Sequence, residues 1–501
     1  MKYTNFEVPK PCQTKKPNAM RVTKIFKAGT IALTFLLMVS FQSGAQKVWT
    51  LEDCINYALE NNLDIQKQIT YVESYKANLT QSAISMLPNL NASGTNYWNF
   101  GQTIDQYTNT FATTTVRSNN FYISSNMVLF NGLTKFNTVK QNQLLVMAGQ
   151  YDVDVRKNNI SLAVAGYYLD ILFNSELLDV ANEQLRITKL QVERIQKMVE
   201  AGSSARGDLL NITAQKATEE LTQVQTANQL SISYLSLQQV IDYPVSKDFH
   251  VEKPNLKPVE APKQPVTADI IYEHAIKDRP EIKAAELRVQ AAQKQLAIAR
   301  GVITPTLSVS GSWGTGYSGA AREIDPNVTP TISSYKMGIT ELSRDTVLGY
   351  QLNYATRVKS FGDQLKTNNN QSVGFSLSIP IFNGWQGRTN ITQAKIAKTQ
   401  AEIDLDIEKR SLRKLIEQAY ADAVASLQKF NSSSDKVNAQ TESFKYSQQK
   451  FDVGLLTSFD YNNSKKDLTK AESDLLQAKY DFIFKTTILD FYMGNPIRIV
   501  Q

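Results

Sequence analysis

The chain has 501 residues, 42% hydrophobic and 20% charged, a composition that excludes disordered and collagenous classes and leaves room for several domains. The formal charge is +7, but residues 1–45 hold seven Lys/Arg and one Glu, so the remaining 47 basic and 46 acidic residues leave +1. That near balance excludes a general electrostatic footprint for nucleic acid.

At the N-terminus, Arg21, Lys24 and Lys27 precede a short apolar run, Ala28 to Phe41, followed by Ser43-Gly44-Ala45. This order predicts a secretory signal removed after Ala45, with Met1 and Met20 both available as starts. A membrane anchor is the alternative, although the run falls short of the ~20 residues a spanning helix needs. Cys12 lies in the removed part, which leaves Cys54 alone and no disulfide framework. Cys54 is read as a small residue on a helix face.

An internal repeat organises the rest. At an offset of 217, Thr50, Ala58, Ile65, Pro88, Leu90 and Gly94 match Thr267, Ala275, Ile282, Pro305, Leu307 and Gly311. At an offset of 252, Phe130, Asn131, Gly132, Gly202, Asp208, Leu237 and Pro244 match Phe382, Asn383, Gly384, Gly454, Asp460, Leu489 and Pro496. Residues 46–244 form the first repeat and 267–501 the second. A connector at 245–266 carries Pro254, Pro258, Pro262 and Pro265. The growth of the offset from 217 to 252 places 35 extra residues in the second repeat, predicted as an extended external loop near 318–350.

Each repeat opens with an N-cap signal, Thr50 before Glu52 and Asp53 or Thr267 before Asp269, and a helix running toward Pro88 or Pro305. Strict alternation follows. Leu307, Val309, Trp313 and Tyr317 interleave with Ser308, Ser310, Ser312 and Gly316; Val373, Phe375, Leu377, Ile379 and Ile381 interleave with Gly374, Ser376 and Ser378. The first repeat does the same less cleanly from Leu90 to Phe100, then with Phe121, Ile123, Met127 and Leu129 against Ser124 and Asn126. Period 2 assigns each set to one face of a sheet. The polar set is small Ser, Thr, Asn and Gly rather than Lys and Glu, and aromatics gather near the strand ends, which suits a transmembrane barrel. A soluble sandwich is the other reading of these strands. Four strands cannot close a barrel, since about eight is the small end, so a barrel would have to be shared between chains. Three chains supply twelve strands.

Phe130-Asn131-Gly132 and Phe382-Asn383-Gly384 mark the change from period 2 to a long helix, with Asn-Gly as cap and permissive backbone. No proline interrupts residues 132–199 or 384–451, and a continuous helix of that length reaches about 100 Å. Leu178, Leu185, Val192 and Val199, repeated as Phe430, Val437, Phe444 and Phe451, form a coiled-coil seam read as packing. Gly202 and Gly454 then allow a reversal, and Asp208 and Asp460 begin the returning helices, where the helix dipole favours an acid.

Together, the opening "WTLEDCINYALENNLDI", the two FNG junctions, the two G-x5-D tips and the terminal "YDFIFKTTILDFYMGNP" resemble the TolC-like outer membrane efflux protein family. The resemblance covers the whole chain after the signal. It implies an α+β membrane protein, a homotrimer whose twelve-stranded β-barrel in outer membrane lipid continues into a long α-helical barrel in the periplasm, joined by a periplasmic adaptor (membrane fusion) protein and an inner-membrane pump. It also implies that the tips dock the adaptor through Gly202, Ser203, Val453, Gly454, Leu455, Thr457 and Ser458. The family's V-G-L-x-[ST] tip is kept at Val453 to Thr457, while the first tip departs with Ala201, Gly202, Ser203 and Ser204. Where the best-known members place a gating Arg and Tyr, this chain has Leu456 and Phe451. The expected gate therefore uses Arg206 with Asp208 and Asp460, or packing of Phe451 and Leu456.

An enzyme is not expected. His250 and His274 are the only histidines, without a second His or Cys at ligand spacing, and "GSWGTGYSG" lacks the Lys-Ser/Thr of a phosphate loop. No cofactor or metal is expected. A secreted coiled-coil adaptor or structural protein is the alternative function, which accounts for the helices and signal but not for the four alternating strands.

Overall fold

A computed structural model describes residues 48–112, 115–245, 249–254 and 266–497. The signal segment and connector residues 255–265, with Pro258, Pro262 and Pro265, lie outside the described residues. The chain divides into two units. In the smaller one, β1 (Val48–Trp49) pairs in parallel with β6 (His250–Val251), and Trp49 packs 5.4 Å from Phe249.

The larger unit holds both repeats. The first contains α1 (Leu51–Asn61), α2 (Leu63–Ile84), β2 (Asn91–Asn99), the short β3 (Thr103–Ile104) and β4 (Phe111–Ala112), β5 (Val116–Phe130), α3 (Thr134–Glu200) and α4 (Arg206–Val240). The second contains α5 (Ala268–Asp278), α6 (Pro280–Gly301), β7 (Thr306–Ser318), β8 (Arg322–Ile324), β9 (Thr331–Ile339), β10 (Thr346–Asn353), β11 (Thr356–Val358), α7 (Phe361–Thr367), β12 (Asn370–Ser378), α8 (Gln386–Asp452) and α9 (Ser458–Tyr492). The repeat extends to the helix ends: α5 and α6 begin and end 217 residues after α1 and α2, and α8 and α9 do so 252 residues after α3 and α4.

Buried positions repeat as well. Ala58 and Ala275, Ile65 and Ile282, Val164 and Ile416, and Leu237 and Leu489 occupy equivalent sites in the two cores. Cys54, fully buried, takes the place of Ile271. The core is therefore two copies of one layered packing, with the first helices of each repeat laid against the long one.

Two expectations are corrected. The single opening helix of each repeat is two helices. Asn62 caps α2 by accepting from the N–H groups of Asp64 and Ile65, and Arg279-Pro280 restarts the second copy, because a proline suits the first helical position but not the interior. Thr267 occupies the N-cap of α5 but makes no side-chain cap bond. The extra 35 residues are not a plain loop either. β9 pairs with β10 as a hairpin, β8 pairs with β11, and α7 returns the chain to β12.

The main sheet has the order β12-β7-β5-β2, all antiparallel. Register puts Phe375 beside Val309 and Met127, and Leu377 beside Leu307, on one face. Ser376, Ser308, Ser312 and Ser372 lie on the other, where the hydroxyls of Ser312 and Ser372 bond at 2.7 Å. β5 shifts register between Val128 and Phe130, just before the helix.

Candidate functional site: junctions and helical tips

The junctions are built by two consecutive left-handed residues. Gly132 and Leu133 have φ of 63° and 60°, and Gly384 and Trp385 have 63° and 69°. The next N–H donates back to Asn131 or Asn383 C=O at 3.2 Å, the mirror-image turn that demands positive φ at both central positions. The asparagine side chains accept weakly from the N–H of Lys135 (3.5 Å) and Gly387 (3.3 Å). The expected cap is thus displaced: the N-cap positions are Leu133 and Trp385, which make no side-chain cap bond. The turn is held by backbone conformation rather than by flexibility.

At the far ends, both long helices close with the same motif. Gly202 (φ 75°) donates to Val199 C=O and Ser203 to Met198 C=O; Gly454 (φ 79°) donates to Phe451 C=O and Leu455 to Lys450 C=O. This left-handed glycine stop satisfies carbonyls that a helix end leaves open. The restarts differ. Thr457 caps α9, accepting the Asp460 N–H at 3.1 Å while its hydroxyl donates to Asp460 Oδ2 at 2.7 Å. In the first repeat Ala205 holds that position and Ser204 instead donates to Asp208 Oδ2 at 3.0 Å. Both aspartates are therefore engaged at helix starts.

The predicted gate residues are brought near the tips but not into one cluster. Arg206 is exposed, and among the described residues no ion pair joins it to Asp208 or Asp460. Phe451 stacks on Tyr461, centroids 4.6 Å apart, while Leu456 is half-buried. Val453, Leu455 and Phe459 are exposed beside Gly454.

Sequence reasoning missed the groups that join the two hairpins. Arg194 on α3 pairs with Asp452 on α8 at 2.8 Å, and Gln191 donates to the Tyr461 hydroxyl at 2.7 Å. Deeper in, Lys465 on α9 is buried and donates to Thr188 Oγ1 at 2.6 Å and Gln184 C=O at 3.2 Å, with Glu219 Oε1 of α4 at 3.6 Å. Burial pushes the Lys465 pKa down, and Glu219 beside it pulls the other way; burial also raises that of Tyr461. A lysine in line with the apolar stripe of α9 was the available signal. The seam residues pack as expected, with Phe430 against Phe482 and Phe444 against Tyr461.

Known proteins give the same outline. The outer membrane efflux protein family matches residues 54–241 and 271–495. The outer membrane efflux protein BepC of Brucella suis is 22% identical over 362 residues, 72% of this chain and 69% of that protein. The outer membrane protein TolC of Escherichia coli is 24% identical over 357 residues, 70% of this chain and 64% of TolC. The Campylobacter jejuni CmeC outer membrane channel superposes with a TM-score of 0.70 at 14% identity, covering 90% of this chain and 87% of CmeC.

Proposed function

Because the chain belongs to the outer membrane efflux protein family, we propose that it is the exit duct of a tripartite export system. Three copies close one twelve-stranded barrel in the outer membrane, continued by a helical tunnel through the periplasm. A periplasmic adaptor docks at the tips, and an inner-membrane pump supplies the energy. The role is passive conduction, so no catalytic step is required.

The observation that carries this reading is a pair of open borders. The sheet ends in β12 and β2, which have no further strand beside them among the described residues, and four strands fall short of the ~8 that close a barrel. Open edges cannot sit in lipid, where each backbone group needs a partner. β12 and β2 run in opposite directions, so β12 of one copy can pair with β2 of the next in the antiparallel sense already used within the sheet. The helices tell the same story: α3 is flanked by α2 and α6, whereas α8 has α6 on one side and exposes Ile396, Ile403 and Ile407. By the repeat, the missing neighbour of α8 is an α2 from another copy, whose Leu63, Ile69 and Tyr71 are exposed.

In such an assembly the Ser-rich face lines water and the Phe375/Val309/Met127 row meets acyl chains. Gating at the tips then requires an adaptor that binds the splayed tips better than the closed ones, since equal affinity shifts no equilibrium. Membrane fractionation tests the proposal: a heat-sensitive trimer in the outer membrane is expected, and a soluble periplasmic protein would overturn it.

A further inference from the structure

Among the described residues, six buried side-chain oxygens lack a hydrogen-bond partner, and four of them belong to one layer: Gln184 Oε1, Gln191 Oε1, Glu219 Oε2 and Asn462 Oδ1. Lys465 meets Gln184 through its backbone C=O and Glu219 through its carboxylate, and Gln191 and Asn462 stand one turn from Thr188 and Lys465 on α3 and α9. Buried polar atoms are normally paired, so concentrating the exceptions where one hairpin crosses the other is a local weakness. The ion pair does not remedy it. Lys465 lies 3.6 Å from Glu219, whose Oε1 already accepts from Gln215 at 2.9 Å, and a buried pair with imperfect satisfaction gains little over its hydrated state.

The two sides of this layer differ. Toward the tip, the hairpins are linked by the Gln191–Tyr461 bond and by the Arg194–Asp452 pair, both of whose side chains are about half exposed. Away from the tip, α9 is seated on α3 by packing: Tyr480 meets Phe173 edge-on, a Cβ added at Gly166 would meet the Phe484 ring at 3.2 Å, and Ala471 and Ala478 are fully buried. Separating the upper part exposes apolar surface, while separating the layer lets water reach four oxygens that lack partners.

We propose that the Lys465 layer is the fulcrum of the tip: the α8/α9 hairpin parts from α3/α4 between the layer and Gly454, and the segment beyond Ala471 stays seated. Lys465 is a positioning residue, setting where parting stops. Relative to the reading of the tips as a gate, on which this rests, it adds the site of bending and the groups responsible.

The test is hydrogen exchange on the full-length protein in detergent, read with single-channel conductance in planar bilayers. Lys465→Met leaves the Glu219 carboxylate buried and alone. Amides of 458–468 should then exchange faster by about tenfold or more, the scale of one lost charge-assisted hydrogen bond, those of 478–490 should not change, and conductance should rise. Lys465→Met with Glu219→Leu and Thr188→Val replaces the buried ion pair and its hydroxyl partner by apolar side chains, with Gln184, Gln191 and Asn462 unchanged, so the same amides should slow and conductance should fall. Opposite signs from two variants that share a substitution are not expected of a residue that merely supports the fold. Thr188→Val alone, a milder change, should act in the direction of Lys465→Met should that variant fold poorly. A uniform change along all of α9, or equal signs in both variants, would overturn the fulcrum. Absence of conductance steps from unmodified trimers would remove the channel reading, and the exchange contrast would then decide the fulcrum by itself.

Discussion

The two repeats share a backbone and differ in what surrounds it. At the first junction, Gly132 lies against the end of α6, so an added Cβ would collide with Thr304 Oγ1 and meet the Gly301 backbone at 2.8 Å; at the second, Gly384 has nothing within 4 Å. The same contrast holds in the sheet, where Ile123 on β5 has a strand on both sides and is 39% exposed, while its counterpart Phe375 on the edge strand β12 is 74% exposed. In the first repeat, β5 and α3 find neighbours on both sides within the chain. In the second, β12 and α8 have such a neighbour on one side only among the described residues, and in the proposed assembly another copy supplies the other.

The largest effect that can test this difference comes from Gly132→Ala, which combines a left-handed φ with overpacking against backbone, a cost of about 2–5 kcal/mol. Gly384→Ala carries only the conformational part, about 1–2 kcal/mol, in monomers. Thermal unfolding in detergent should show that gap, and it should narrow in trimers if Gly384 gains a neighbour there. Equal losses in monomers would break the comparison.

Next in size is Phe375→Arg on the apolar face of β12, expected to cost about 2–4 kcal/mol if it lies near the middle of the lipid. The yield of heat-sensitive trimer in membranes should fall sharply, while Ser376→Arg on the opposite face should leave the yield near normal. A reversed order would mean that the faces have been assigned the wrong way round.

The tips give smaller differences. Thr457→Ala removes a cap and should lower stability by about 1 kcal/mol, whereas Ser204→Ala, at a side chain that caps nothing directly, should stay within about 0.5 kcal/mol. Chemical denaturation of the two variants decides this. Of similar size is Arg194→Ala, which breaks an exposed pair worth roughly 0.2–1 kcal/mol and should matter less as salt is raised. Arg206→Ala and Asp208→Ala address the gate itself: unchanged single-channel conductance in both would exclude an ionic gate made by these residues.

Much of this architecture was legible before any coordinates. A 3.6-residue period without proline specifies a long helix locally, and a period of 2 with small polar residues specifies a sheet with two unlike faces. The glycine stops at Gly202 and Gly454 were equally readable, because the left-handed position is a property of the residue and its neighbours. The break at Asn62 was less visible, since asparagine is tolerated inside helices as well as at caps. The ribbon of β8 to β11 was hidden because its alternation is short and irregular. The hairpin links at Gln191, Arg194 and Lys465 were out of reach for a different reason: their partners stand 270, 258 and 277 residues away, and no local pattern encodes a contact at that distance.

By itself, then, the sequence determined the repeat, the element types, the junction and tip positions and the two-faced strands, because each follows from periodicity and backbone preference over a few residues. Only the tertiary structure decided that β5 and α3 are flanked on both sides within the chain while β12 and α8 are not, that Leu133 and Trp385 rather than the asparagines begin the long helices, and that a buried lysine lies between the hairpins. Those outcomes depend on which helices are packed side by side, and packing is settled by the whole fold.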